Sequence, residues 1–149
     1  MSKPPGILPS QALNALIGQG AIAACAPFAP DQVQPASLDL RLGEHAWRVR
    51  ASFLPGAERT VAQRLADVAM HRLDLTGGAV LEKGCVYIAE IQEALALPPG
   101  VSARANPKSS TGRVDVFVRL LTDHSPAFDD VAEGYTGPLY VEIAPQTFS

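Results

Sequence analysis

From Gly77-Gly78 onward the chain is a succession of short segments rich in Val, Leu and Ile, each closed by a turn signal. Residues 79–81, 85–92, 101–105, 114–121 and 139–143 read as strands. The breaks between them are Lys83-Gly84, Pro98-Pro99-Gly100, Asn106-Pro107, Pro126 and Gly137-Pro138. Glycine and proline at this spacing leave no stretch long enough for the helix that a parallel crossover needs. Strands this short must pair with their neighbours in a closed or sandwiched β-architecture rather than in alternating βαβ units.

The first half adds helices. Leu13, Leu16 and Ile17 share one face of a helix predicted over residues 10–18, with Ser10 as its N-cap and Gly18 or Gly20 as its stop. Residues 25–35, with Pro27, Pro30 and Pro35, read as an irregular connection. Ser37-Leu38-Asp39-Leu40-Arg41-Leu42 alternates polar and apolar, the pattern of a half-buried strand. Asp39 and Arg41 then point the same way and are placed to pair with each other or to line a polar strand face. A neighbouring strand is expected over residues 46–50, after the Gly43-Glu44 turn. Thr60-x-x-Gln63 is a capping box opening a second helix over about residues 61–70, with Val61, Leu65 and Val68 on its apolar face. The expected fold is one domain over residues 1–149, mainly β with short helices and β-rich from residue 79.

Composition narrows the function. The net charge is -3 and no basic tract occurs, so no strongly electrostatic grip on nucleic acid is expected. A small anionic ligand needs only a few placed cations. Residues 21–30, the longest weakly polar run, are broken by Pro27 and Pro30, and nothing approaches the ~20 apolar residues of a membrane span. Residues 1–8 have no apolar region of signal-peptide type. Cys25 and Cys85 show no C-x-x-C spacing and read as small buried hydrophobes, so a reducing cytoplasm is the expected setting. His45, His71 and His124 are scattered, and neither a zinc spacing nor the H-x-E with P-C-x-x-C pattern of zinc nucleobase deaminases occurs.

Two further segments carry chemistry. Asn106-Pro107-Lys108-Ser109-Ser110-Thr111-Gly112-Arg113 joins two predicted strands with two cations, three hydroxyls and a glycine that lets a ligand approach the backbone. It reads either as a phosphate cradle or as a solvated turn. In Gly134-Tyr135-Thr136-Gly137-Pro138-Leu139-Tyr140-Val141-Glu142-Ile143, Leu139, Val141 and Ile143 share one strand face, and Tyr140 and Glu142 share the other. Glu142 faces either solvent or a ligand cavity in which it moves protons.

Taken in order, three segments resemble the dCTP deaminase family of the dUTPase-like superfamily. Residues 34–43 resemble its P-x-S-[LV]-D-[LV]-R-L-G strand, residues 108–113 its R-S-S-x-x-R loop, and residues 134–142 its G-[WY]-x-G-x-[IL]-x-[VL]-E segment. The resemblance implies a β-clip, or distorted β-barrel, and zinc-independent hydrolytic deamination of dCTP to dUTP. It implies that Glu142 activates the attacking water and shuttles protons, that Ser109 positions water and contacts phosphate, and that Arg113 lies near the base and the glutamate. Lys108, Ser110, Thr111, Gly112 and Tyr135 take substrate-binding positions. Lys108 stands where the family usually has Arg, which keeps charge but loses bidentate geometry. No cofactor is implied for catalysis; Mg²⁺ is implied with the bound triphosphate. Homotrimers with active sites between subunits are implied as well.

Two departures qualify the resemblance. Ala132 occupies the position, three residues before the aromatic, where dUTPases carry an important Asp, which argues against dUTP diphosphatase activity unless Asp129 or Asp130 substitutes. Ser149 follows Glu142 by only seven residues, so the chain is expected to be the opening portion of a longer, duplicated variant, or to complete its sheet with another chain. A catalytically silent nucleotide-binding or assembly domain is the alternative from a different functional class.

Overall fold

A computed structural model describes residues 6–147; the N-terminal reading at residues 1–5 lies outside them. In chain order the elements are α1 (Ser10–Gly18), β1 (Ile22–Ala24), β2 (Leu42–Val49), α2 (Val61–Val68), β3 (Ala69–Asp74), β4 (Val86–Ala96), β5 (Ala103–Arg104), α3 (Ser109–Arg113), β6 (Val116–Thr122), β7 (Asp130–Val131) and β8 (Thr136–Pro145). The main sheet runs β3-β2-β4-β8-β6, with β1 also on β4; β5 and β7 form a second, two-stranded sheet. All pairings are antiparallel. The protein is thus mainly β with short helices, as the turn spacing predicts.

β4 organises the sheet. One edge carries β8 from Tyr87↔Ile143 to Ala96↔Thr136. The other carries β2 around Ile88↔Trp47 and then β1 around Leu95↔Ile22. Directly opposed residues share a face, so Trp47, Ile88, Glu142 and Arg119 form one row across four strands. On that face Val49, Ile88 and Leu121 pack under Phe53 and under Val61 and Leu65 of α2. The other face buries Ala46, Tyr87, Ala89 and Ile143, and further along Leu97, Leu120, Val131, Tyr135 and Leu139. Helix α1 covers the β1 end through Leu16, packed with Ala21 and Ile22.

The helix ends follow local chemistry. In α1, Gly20 takes a φ of 79°, and the Gly20 and Ala21 N–H groups return to the Ile17 and Leu16 carbonyls, satisfying its last turn. The Thr60/Gln63 capping box forms as expected. Ser10 is not a cap: Pro9 precedes the helix, and the Ser10 N–H donates to the Pro35 carbonyl. Helix α2 ends at Val68, short of residue 70, because the Val68 carbonyl accepts from Arg50 N–H and Ala69 already pairs with Val49. The open edge of β2 captures this segment as β3.

Residues 37–41 are not the predicted strand; of that segment only Leu42 enters a strand, as the first residue of β2, which runs on through the expected Gly43-Glu44 turn. A local hairpin closes on itself instead: Gln34 N–H donates to the Ser37 carbonyl and Asp39 N–H to the Gln32 carbonyl, with a lone bridge Val33↔Leu38. Asp39 and Arg41 part company, Asp39 pairing with Lys108 and Arg41 with Glu93. Residues 79–81 form no strand; they lie in the turn-rich lead into β4. Nor are the cysteines both buried, since Cys25 leaves β1 at the start of the proline-rich segment and is exposed, and Cys85 is half-buried.

Candidate active site

Glu142 sits near the middle of β8, flanked by β4 and β6, and is 3% exposed. A carboxylate buried this deeply needs partners. Across the sheet, on β6, Arg119 lies directly opposite. Its Nε donates to Glu142 Oε2 at 2.8 Å, and its Nη2 lies 2.7 Å from the same oxygen. From the loop leaving β2, the Ser52 hydroxyl donates to Oε1. Arg119 Nη2 also donates to the Ser52 oxygen at 2.9 Å, closing a cycle of three side chains. The Phe128 ring lies under the guanidinium, 3.9 Å from Cζ to the ring centroid, a close cation–π contact. Glu142 therefore does not face open solvent.

The segment expected to cradle phosphate folds as the single turn α3. Thr111 and Gly112 N–H groups return to the Lys108 carbonyl. Ser109, Ser110, Gly112 and Arg113 are exposed, and Thr111 is half-exposed. Lys108 Nζ lies 2.8 Å from Asp39 Oδ2, and that hydrogen bond, with the charge of Asp39, raises its pKa above the usual lysine value. Among the described residues, neither the Ser109, Ser110 and Thr111 hydroxyls nor Arg113 bonds to Glu142. The two regions are nevertheless neighbours. Asp115, which follows α3, accepts at its carbonyl from Gln146 N–H, and Val116 pairs with Pro145. That register puts Val116, three residues past the end of α3, three residue steps from the Arg119↔Glu142 pair, about 10 Å along the strand. Asn106, at the head of the same loop, lines a cavity of about 290 Å³ with Arg104, Ala105, Phe128, Asp129 and Asp130. Phe128 thus both lines the cavity and contacts the Arg119 guanidinium.

Tyr135 is buried, and its hydroxyl is engaged twice, donating to the Pro138 carbonyl at 2.7 Å and accepting from Asp123 N–H at 3.0 Å. Burial pushes the phenol up to about 12. Both hydrogen bonds hold the turn into β8. Gly137 packs against this phenol, where a Cβ would come within 2.8 Å of the oxygen.

Arg119, Ser52 and Phe128 are absent from the sequence-based candidates. For Arg119 a signal exists: a lone cation within Val116-Phe117-Val118-Arg119-Leu120-Leu121 demands a partner. Ser52 has no signal, because its place depends on how β2 exits the sheet. Among the described residues no group of three or more His, Cys, Asp or Glu side chains is placed to hold a metal ion, and no helix is long and apolar enough to cross a membrane.

Residues 4–149 match the model of the 2'-deoxycytidine 5'-triphosphate deaminase (DCD) N-terminal domain. The chain is 32% identical over 143 residues to a "dCTP deaminase, dUMP-forming" of Beutenbergia cavernae, covering 93% of this chain and 68% of that protein. It is 31% identical over 114 residues to a dCTP deaminase of Halorubrum lacusprofundi, covering 76% of this chain and 53% of that one. In three dimensions it resembles the crystal structure of 2'-deoxycytidine 5'-triphosphate deaminase from Agrobacterium tumefaciens, with a TM-score of 0.93 and 55% identity, over 96% of this chain and 43% of that one. The chain spans 43% to 68% of the length of these relatives.

Proposed function

This chain belongs to the 2'-deoxycytidine 5'-triphosphate deaminase N-terminal domain family, and on that premise we propose that it carries the reaction centre for zinc-independent deamination of dCTP, with Glu142 as the proton-moving group. The supporting observation is a buried carboxylate in the middle of the sheet, held by Arg119 and Ser52, with the ring against that arginine, Phe128, also lining a cavity. Water adds to C4 of the cytosine, and Glu142 carries its proton to N3 as the C4–N3 double bond becomes single. Glu142 then carries the proton of the new C4 hydroxyl to the amino group, the C4–N bond breaks to release ammonia, and the C4–oxygen bond becomes the uracil carbonyl. Ser109 orients the water and touches phosphate, and Arg113 faces the base. Lys108, Ser110, Thr111 and the backbone at Gly112 receive the triphosphate, which arrives with its Mg²⁺ as part of the substrate. Tyr135 supports the nucleotide site through the β8 turn. Loop and glutamate meet fully in a homotrimer, where neighbouring subunits share the cleft.

The product is proposed to be dUTP. Ala132 offers no carboxylate, and the nearby aspartates are occupied: Asp129 accepts from Leu120 N–H, and Asp130 pairs with Arg104. The Beutenbergia relative is described as dUMP-forming, and product analysis separates the two outcomes.

The test is incubation of the full-length protein with Mg²⁺ and dCTP, with chromatography of the products. Glu142→Gln is expected to lower turnover by about 10³-fold, within the range for general acid–base groups, while calorimetry shows dCTP binding retained. A parent protein that binds dCTP without converting it defeats the reading in favour of a silent nucleotide-binding domain. Turnover retained in Glu142→Gln removes the glutamate from the mechanism.

A further inference from the structure

The geometry points to Arg119 as a positioning residue for the proposed deamination, one that immobilises Oε2 of Glu142 and leaves Oε1 as the single oxygen that exchanges protons with substrate. The inference rests on the deaminase reading of Glu142. The Arg119 Nε–H donates to Oε2 at 2.8 Å, and Nη2, whose hydrogen bond goes to Ser52, lies 2.7 Å from the same oxygen in the ion pair. Oε2 is thus held by the guanidinium through one charge-assisted hydrogen bond and a close ion pair. Oε1 faces the Ser52 hydroxyl, which comes from an exposed loop residue. The two carboxylate oxygens therefore differ in kind: one is fixed to the neighbouring strand, and the other meets a small polar group that substrate or water can replace. The Ser52 oxygen marks the position where an attacking water meets the glutamate.

Arg119 is itself restrained. Its backbone is paired with β8, its guanidinium lies against Phe128, and Nη2 also reaches Ser52. A guanidinium stacked on a ring and forked towards a carboxylate is a geometry that lysine cannot reproduce. Phe128 also lines the cavity beside Asn106, so the same ring sets the arginine and bounds the cavity.

The test uses the full-length protein and compares Arg119→Ala, Arg119→Lys and Phe128→Leu with the parent and with Glu142→Gln. Arg119→Ala is expected to lower kcat about 100-fold while KM moves little, because a misplaced proton-transfer group loses transition-state geometry rather than substrate binding. Added guanidinium ion should restore about tenfold of that loss, since it refills the site beside Oε2, and should do nothing for Glu142→Gln. Arg119→Lys should recover less than guanidinium does. If Arg119→Ala fails to fold, Phe128→Leu still decides, because it loosens the clamp without removing charge, and about a tenfold fall in kcat at constant KM is expected. Parent-like kcat in folded Arg119→Ala, parent-like kcat in Phe128→Leu, or a loss that appears wholly in KM overturns the inference while the deaminase reading stands. A parent protein without turnover overturns both.

Discussion

Replacing Arg41 with alanine tests whether a motif residue acts through the fold or through the chemistry. Arg41 closes the segment resembling the family's early strand motif, yet its side chain turns away from the candidate site. Glu93 is fully buried at 0% exposure, and Arg41 supplies the hydrogen bonds it receives: the backbone N–H on Oε1 at 2.7 Å and Nε on Oε2 at 3.3 Å. The guanidinium also reaches the Pro27 and Ala26 carbonyls at 2.7 and 3.3 Å and lies 5.6 Å from the Phe28 ring centroid, pinning the proline-rich segment to β4. In Arg41→Ala the backbone donor survives, so Oε1 keeps its partner while Oε2 is left charged and buried. The cost of removing one partner of a buried pair is about 3–5 kcal/mol, and the surviving donor puts this case near ~3. In a chain of this size that lowers Tm by roughly 6–12 °C. Glu93→Gln removes the buried charge, keeps an acceptor for the residue 41 N–H, and leaves a partly exposed guanidinium to water, so it should cost only about 1 kcal/mol. Urea unfolding followed by circular dichroism measures both. The reasoning fails if Arg41→Ala costs less than about 1 kcal/mol, or if Glu93→Gln proves the worse of the two.

The Tyr135 phenol, raised to about 12 from an ordinary 10 by burial, is held neutral by the fold, so it contributes stability that is complete below pH 10 and is lost as the pH climbs towards 12; Tyr140, also raised by burial, acts in the same sense. Urea midpoints should therefore fall more steeply over that window in the parent than in Tyr135→Phe, and equal slopes would refute the assignment. Gly137→Ala brings a Cβ within 2.8 Å of the Tyr135 oxygen at a φ of 155°, which should cost about 2 kcal/mol of overpacking. In the Tyr135→Phe background the clashing oxygen is gone, so a double-mutant cycle should show a smaller cost, and identical costs in both backgrounds would disprove the contact.

Much of the fold was legible because it rests on local signals. The bounds of α1, the capping box of α2 and the positions of β4, β6 and β8 follow from periodicity and turn residues. What was not legible depends on partners distant in sequence. Residues 69 and 70 were expected to end the second helix, but the free edge of β2 takes residues 69–74 as β3. Residues 37–42 have perfect strand alternation, yet only Leu42 lies in a strand, since the neighbouring Gln32 and Gln34 close the backbone of residues 37–39 locally. At the site, Glu142 was legible through its resemblance and its strand position. Arg119, Phe128 and Ser52 were not, because their approach is fixed by register, by the excursion before β7 and by the exit of β2, none of which leaves a spacing in the sequence.

On the proposed deamination, the location of Glu142 also accounts for how a proton-moving side chain can be held firmly while the nucleotide contacts remain adjustable. Its backbone is laddered to β4 on one side and to β6 on the other, so neither strand can shift without disturbing the other. Its Oε2 inherits that rigidity through Arg119, which sits on the very strand that β8 pairs with. By contrast, α3 is a single exposed turn, tied back by Lys108 to Asp39 and by Asp115 to Gln146. Proton transfer demands sub-ångström placement, whereas a triphosphate is gripped by charge and hydroxyls that tolerate adjustment. In the proposed reaction, a sheet-borne carboxylate and a hydroxyl-rich turn would each meet the demand suited to its element. It follows that substitutions within α3 should weaken nucleotide binding before they touch the chemical step, and substitutions in the Arg119–Glu142 row should do the reverse.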